Sequence, residues 1–438
     1  MIARHAGREC DELRAAQKPT LLQALGDKRI MAVLLLSFAS GLPFNLTGSG
    51  TALQAWLASV HVDIKTIGIF SLAGVPYVLK FVWAPLLDRY LPPLLGRRRG
   101  WILICQLCLA AGIAAMGLCS PKEEISTLGA VALLVAFLSA SQDIVCDAYR
   151  VDVIPPAERG LAAASTTFGY RTAAMLASTV LILIAHVAGW ERAYFLMADV
   201  MLLTVLATLR APEPQVPGRR PHTLVDAVWD PLKDLLSRHG AWGFLLLALT
   251  YKVGDAFALS LYSAFMLNGV GFSLPELSLG KIDMTLSTMA GVALGGWVYL
   301  RWGMFRSLLV FGVGQACTNL LYMWLALAGK QLWLMVLATT VDTAVGGMGQ
   351  AAFVAFLVSQ CSASFSATQY ALLSALTAVP RTLVNAIAGY VVASVGWAHF
   401  FVITFLTAMP GLALLLALRR RVNELEAREV SAARAAQV

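Results

Sequence analysis

The sequence predicts an all-α membrane protein of twelve transmembrane helices in two six-helix halves, with both termini cytoplasmic. Three observations carry this. Of the 438 residues, 58% are hydrophobic and 13% charged, about half the charged share of a water-soluble domain, so lipid is the main solvent. The apolar runs are about 20 residues long, as a membrane-crossing helix requires, whereas a barrel strand needs about ten in alternation. Basic residues recur in every second connection. They gather in the N-terminal tail, at Arg89 to Arg99, at Arg150 and Arg159, in 211–240, at Arg301 and Arg306, and in the C-terminal tail. The opposite loops hold only Lys65, Lys122, Arg192 and Lys330. The formal charge of +8 therefore records topology and not a nucleic-acid surface.

In chain order, residues 1–29 form a polar cytoplasmic tail without the apolar stretch of a removable signal peptide. Residues 30–210 hold the first half. Its first span, Ile30–Val60, is interrupted at Gly41, Pro43 and Gly48–Gly50, breaks that loosen a helix where it lines a cavity. The second, Ile67–Leu87, carries Lys80, and the third, Trp101–Leu118, carries no charge. The fourth begins near Thr127 and ends at Asp152; the fifth, Leu161–Val187, carries Arg171, and the sixth, Tyr194–Leu209, carries Asp199. The connection 211–240 places Leu224, Val225, Val228, Trp229, Leu232, Leu235 and Leu236 on one helical face, with a kink at Pro231, and is expected to lie on the membrane surface. The second half, 241–419, follows with spans Trp242–Leu267, Leu277–Leu300, Ser307–Ala328, Trp333–Val358, Thr368–Val395 and Phe400–Leu418, before a polar tail at 420–438.

The end of the fourth span organises the chemistry. Gln142, Asp143 and Asp147 occupy its last turns. An ionisable group at such depth costs about 2.5–3.5 kcal/mol on insertion scales, so it marks a substrate or proton route or a partner. Asp143 and Asp147 share one face, and two stacked carboxylates resist ionising together, which suits a proton carrier. An ion-pair latch at the cytoplasmic rim is the alternative. The second, fifth, eighth and eleventh spans hold Lys80, Arg171, Lys281 and Arg381, while the fourth, seventh and tenth hold carboxylates. A recurrence every three helices is what nested three-helix repeats produce. Lys281 and Asp283, near an outer end, are expected to be solvated. Lys252 and Asp255 lie on one face of the seventh span, close enough to neutralise each other. Gly346, Gly347 and Gly349 suit close helix approach or plain small-residue packing. The seven cysteines have no framework spacing, the six histidines are scattered, and neither metal nor cofactor is expected.

The loop after the second span runs Pro85-Leu-Leu-Asp88-Arg89 to Gly96-Arg97-Arg98-Arg99. It resembles the loop signature of the major facilitator superfamily, with a longer spacing, and Gly295, Gly296, Arg301, Gly303 and Arg306 form a fainter copy. Asp88, Arg89, Arg97, Arg98 and Arg99 are the expected cytoplasmic gate, pairing across the halves in one state and separating in the other. Longer stretches carry a closer likeness: Leu53-Gln-Ala-Trp56, Lys80-Phe-Val-Trp-Ala-Pro85, Ser139-Ala-Ser-Gln-Asp-Ile-Val145, Tyr251-Lys-Val-Gly-Asp-Ala-Phe257 and Ser364-Phe-Ser-Ala-Thr-Gln-Tyr370. Through these the chain resembles the muropeptide permease family of Gram-negative inner membranes, typified by AmpG.

The resemblance implies proton-coupled import of N-acetylglucosaminyl-1,6-anhydromuramyl peptides for cell-wall recycling, with a supporting role in β-lactamase induction. The partners it implies are this small-molecule substrate, protons and membrane lipid, with a monomer as the working unit. Such a substrate carries carboxylates and sugar rings. Lys80, Arg171, Lys252 and Arg381 are candidates for the carboxylates, Gln54, Gln142 and Asn45 for hydroxyls, and Trp56, Tyr77 and Tyr170 for ring stacking. For Lys80, Arg171 and Arg381 a structural ion pair stays open, and for the aromatics plain packing. Asp143, Asp147 and Asp255 are the proton-coupling candidates. A carrier of another bulky anion such as an acyl-CoA, or a membrane-embedded enzyme on lipid-linked sugars, are the rival readings.

Overall fold

The computed structural model describes residues 27–47, 51–90, 92–93, 95–154, 159–213, 233, 237, 240–360 and 366–426. Most of the expected surface helix at 222–238 lies outside these. The described residues contain helices and no strand. Eight of the helices are long and apolar enough to cross a membrane.

Helix α1, Lys28–Phe44, starts at Asp27, whose carboxylate accepts the Arg29 backbone N–H at 2.8 Å. It stops after Pro43, and α2, Thr51–Ser59, resumes the path. The second path departs from the single helix expected. It starts earlier and breaks into α3 (Ile64–Ile69), α4 (Val75–Leu79) and α5 (Ala84–Arg89), with 3-10 turns at Phe70–Gly74 and Lys80–Val82 between them. Pro76 and Pro85 supply no backbone N–H, which limits a continuous α ladder there. Then come α6 (Arg97–Leu118), α7 (Ile125–Val153), α8 (Arg159–Met175), a π turn, α9 (Leu181–Ala188) and α10 (Trp190–Arg210). The C-terminal helices begin with α11 (Ala241–Thr250), α12 (Val253–Leu259), α13 (Tyr262–Ala264) and a π turn at Phe265–Val270.

Helix α14, Leu274–Ala328, has 55 residues and breaks at Gly303, where φ is 77°. A straight helix of that size would reach about 80 Å against a hydrocarbon core of about 30 Å, so the glycine ends one crossing and starts the next. Helix α15 is Leu332–Ser359; α16, Ser366–Ala417, breaks likewise at Gly396, φ 77°.

Glycines bring the crossings together. A Cβ on Gly169 of α8 would meet Leu34 O of α1 at 2.3 Å. One on Gly347 would meet Thr288 O at 2.5 Å and one on Gly291 would meet Ala344 O at 2.1 Å, so α14 and α15 touch backbone to backbone. Gly346 and Gly349 do something else: their missing side chains leave room for Gln315 and Lys252.

The apolar cores divide unequally between the two ends of the molecule. One core joins N-terminal and C-terminal helices, running from Leu42, Leu53 and Tyr194 to Phe257, Phe265 and Phe401. At the opposite end the cores are separate. Ile30, Leu36, Ile102, Val145 and Tyr149 belong to the N-terminal helices alone, and Phe244, Met304, Phe356 and Leu415 to the C-terminal helices alone. Among the described residues the molecule is therefore sealed at one end and parted at the other.

Candidate transport cavity

Between the two groups of helices lies a cavity of about 500 Å³. Gln54 from α2, with Gly74, Tyr77 and Val78, forms one wall; Lys252, Asp255, Gln350, Arg381 and Asn385 stand opposite. The lining brings together Gln54, Tyr77, Lys252, Asp255 and Arg381, all of them candidates from the sequence. Phe44 also lines it, its ring 4.8 Å from Tyr77 and 6.3 Å from Tyr170. Nothing in the sequence separates this phenylalanine from its apolar neighbours.

Lys252 owes its position to a break between α11 and α12. Its Nζ donates to Gln315 Oε1 at 2.9 Å and to Gly346 O at 3.3 Å, and stands 3.6 Å from Asp255 Oδ2. The cation is thus balanced by one carboxylate and anchored by two neutral acceptors, which together take up its three donors. Gln315 went unnoticed because only charges were sought in its span; a glutamine in an uncharged apolar run was the available signal. Arg381 projects from α16 with its side chain exposed.

A second polar group adjoins the cavity behind Tyr77. Lys80 is ion-paired with Asp143, which also accepts from Ser40 Oγ at 2.9 Å, tying the second path to α7 and α1. Asp147 pairs with Arg150 at 3.1 Å and stays within electrostatic reach of Asp143 and Lys80. The stacked, mutually repelling carboxylates expected from the sequence are therefore not isolated, because each finds its own cation. Gln142 is fully buried, and its amide oxygen and nitrogen have no hydrogen-bond partner among the described residues. Tyr170, on α8, lies within electrostatic reach of Asp143, Arg171 and Arg381.

Other candidates lie elsewhere. Trp56 is 4% exposed and stacks on Trp190 at 5.8 Å within the joined core, so its face is not free for a sugar ring. Asn45 Nδ2 donates to Gly41 O at 3.2 Å and closes the end of α1. Arg171 is exposed on α8, outside the cavity lining, and Asp199 is exposed on α10. Lys281, expected to be solvated, is 4% exposed: α14 begins at Leu274, which sets the lysine two turns inside, over the Tyr262 ring at 4.3 Å.

At the parted end, Arg98 Nε binds Asp152 at 2.7 Å, with Arg97 4.0 Å from the same carboxylate. Glu213 accepts the backbone N–H groups of Arg98 and Arg99 at 3.1 and 3.2 Å, capping α6. The Arg99 guanidinium donates to Thr208 O and Leu209 O. Among the described residues, these partners lie on α7, on α10 and in the segment just after α10. The side chains of Asp88 and Arg89 lie outside the described residues.

Residues 33–385 match the Major Facilitator Superfamily, and the chain belongs to it. Within that superfamily it belongs with the anhydromuropeptide permeases. The Anhydromuropeptide permease of Escherichia coli (strain K12) is 45% identical over 412 residues, 92% of this chain and 83% of that protein. An uncharacterized protein of Haemophilus influenzae is 35% identical over 399 residues, 88% of this chain and 93% of its own. Among solved structures, a bacterial homolog of the human lysosomal transporter Spinster, inward-facing and unoccupied, superposes with a TM-score of 0.73 at 15% identity, covering 91% of this chain and 98% of that one.

Proposed function

We propose that this protein imports N-acetylglucosaminyl-1,6-anhydromuramyl peptides across the bacterial inner membrane, driven by protons, and transports its substrate without transforming it. One observation carries the reading: Lys252 and Arg381 share a cavity wall with amide and hydroxyl groups, facing Gln54 and Tyr77 across the space. Cations suit the peptide carboxylates, amides suit sugar hydroxyls, and the Phe44 and Tyr77 rings offer flat apolar surface. The 45% identity to a permease named for anhydromuropeptides supports the same substrate class.

The working unit is a monomer of twelve spans, halves at 30–210 and 241–419, joined by 211–240, with the tails 1–29 and 420–438 cytoplasmic. The parted end then faces the cytoplasm, and substrate leaves between the separate cores. Asp255 and Asp143 are the proton-coupling candidates, each held beside a lysine, and Asp147 lies nearer the rim. The gate at Asp88, Arg89 and Arg97 to Arg99 would exchange partners as the halves rock.

Counterflow of labelled anhydromuropeptide in proteoliposomes, with and without an imposed pH gradient, tests this. Accelerated exchange that an unlabelled acyl-CoA does not inhibit is expected. Absence of exchange in correctly folded protein would remove the proposal.

A further inference from the structure

Asp342, on α15, is 1% exposed. Its Oδ1 is 2.6 Å from Thr318 Oγ1, and its Oδ2 accepts from Tyr322 Oη at 3.2 Å. The titratable groups facing it are Lys252 and Asp255 from the α11–α12 region and Tyr322 from α14, with Tyr262 adjoining Tyr322. No cation forms an ion pair with it among the described residues.

The hydroxyl contacts bear on its protonation. Thr318 Oγ1 lies 2.7 Å from Gln315 O as well as 2.6 Å from Asp342 Oδ1. A threonine hydroxyl has one hydrogen, and both neighbours are acceptors when the carboxyl is ionised. A protonated Asp342 gives each contact its own hydrogen, donating to Thr318 Oγ1 while Thr318 donates to Gln315 O; an ionised one leaves a single hydrogen shared between two acceptors. Burial without a cation favours the same neutral form.

This carboxyl is wired to the cavity. Gln315 and Thr318 are about one turn apart on α14, and Asp342 and Gly346 about one turn apart on α15. Gln315 and Gly346 are the two neutral acceptors of Lys252. The acceptors that hold the cation at the cavity wall are therefore one turn from Asp342 and its partner Thr318, on the same pair of helices.

We propose that Asp342 is a proton-binding site that governs whether Lys252 is available to an anion in the cavity. With the proton on, Asp342 is neutral, and Lys252 faces the cavity beside Asp255. With the proton returned to water, the Asp342 carboxylate competes for Lys252 and draws it off the substrate. Toward the sealed end, Tyr322, Tyr262 and Lys281 continue the buried polar file; the Lys281 Nζ and Tyr262 hydroxyl have no hydrogen-bond partner among the described residues. The inference rests on the proton-driven import proposed above, and its test is arranged so that the two fail separately.

Purified full-length protein in proteoliposomes is compared with Asp342→Asn and Asp342→Glu. In infrared difference spectra taken without substrate, raising the pH removes a protonated-carboxyl band from the wild type. That band is expected to be absent from Asp342→Asn and present in Asp342→Glu. In transport, Asp342→Asn is expected to keep anhydromuropeptide counterflow and to lose gradient-driven accumulation by about tenfold, the size of an ordinary coupling between sites. A band unchanged in Asp342→Asn, or accumulation equal to wild type, overturns the proposal. If the wild type shows no counterflow, the substrate reading has failed and the infrared comparison alone judges Asp342. Should Asp342→Asn not fold, Thr318→Val replaces it: a shifted midpoint of the band supports the site, and an unmoved midpoint overturns it.

Discussion

Gln54 on α2 donates from Nε2 to Ser260 O at 2.8 Å, a buried hydrogen bond that crosses from the N-terminal to the C-terminal helices at the sealed end of the cavity. A buried neutral hydrogen bond contributes about 0.5–1.5 kcal/mol, enough to shift a two-state population about two- to tenfold. Gln54→Leu is therefore expected to favour opening at this end. In a background without the native cysteines, Ser260→Cys should react faster with a membrane-impermeant thiol reagent once Gln54→Leu is added. Equal rates would show that the contact does not hold the seal.

The Lys80–Asp143 pair is only partly dry, with side chains 34% and 25% exposed. Losing one partner should cost about 1–2 kcal/mol, less than the 3–5 of a fully buried pair. Lys80→Met and Asp143→Asn are each expected to lower the melting temperature, and the double variant to recover about 1 kcal/mol of the summed loss. Strict additivity would mean that the two side chains do not interact in solution.

Trp56 tests the separation between core and cavity. Trp56→Ala should destabilise by about 3–5 kcal/mol, as large core truncations do. The KM of the protein that still folds should be unchanged, because Trp190 and Tyr194 already cover the ring. A raised KM with an unchanged melting temperature would return Trp56 to the substrate site.

Gln142 predicts the opposite split. Its buried amide has no partner among the described residues, and such a group costs about 1–3 kcal/mol. Gln142→Leu, of similar size, is expected to raise the melting temperature while transport falls, the pattern of a polar group retained for function. A destabilised Gln142→Leu with normal transport would reverse this assignment.

These cases show what could be read from the chain. Charge and apolar run length report which segments sit in lipid, because lipid penalises ions and unsatisfied backbone everywhere along a span. Hence the all-helical class and the set Lys252, Asp255 and Arg381 were legible. Whether a polar or aromatic residue faces the cavity or the dry core was not, since both faces are shielded from lipid and carry similar residues. Trp56 and Tyr77 differ in this respect only through their neighbours, Trp190 and Tyr194 for one and the open space for the other. Pairing across long separations was hidden for the same reason: Asp143 shares a helical face with Asp147, yet binds Lys80 on another segment.

The contact between Gly68 of the second path and Gly389 of α16 has a mechanical consequence. A Cβ at Gly389 would lie 2.2 Å from Ile64 O, and one at Gly68 would lie 3.0 Å from Gly389 N. Bare main chain meets bare main chain there, so nothing is left to compress once the two segments touch. If the halves rock as proposed, such a joint would be an end stop, limiting how far one half rolls against the other and letting them part without disentangling a long side chain.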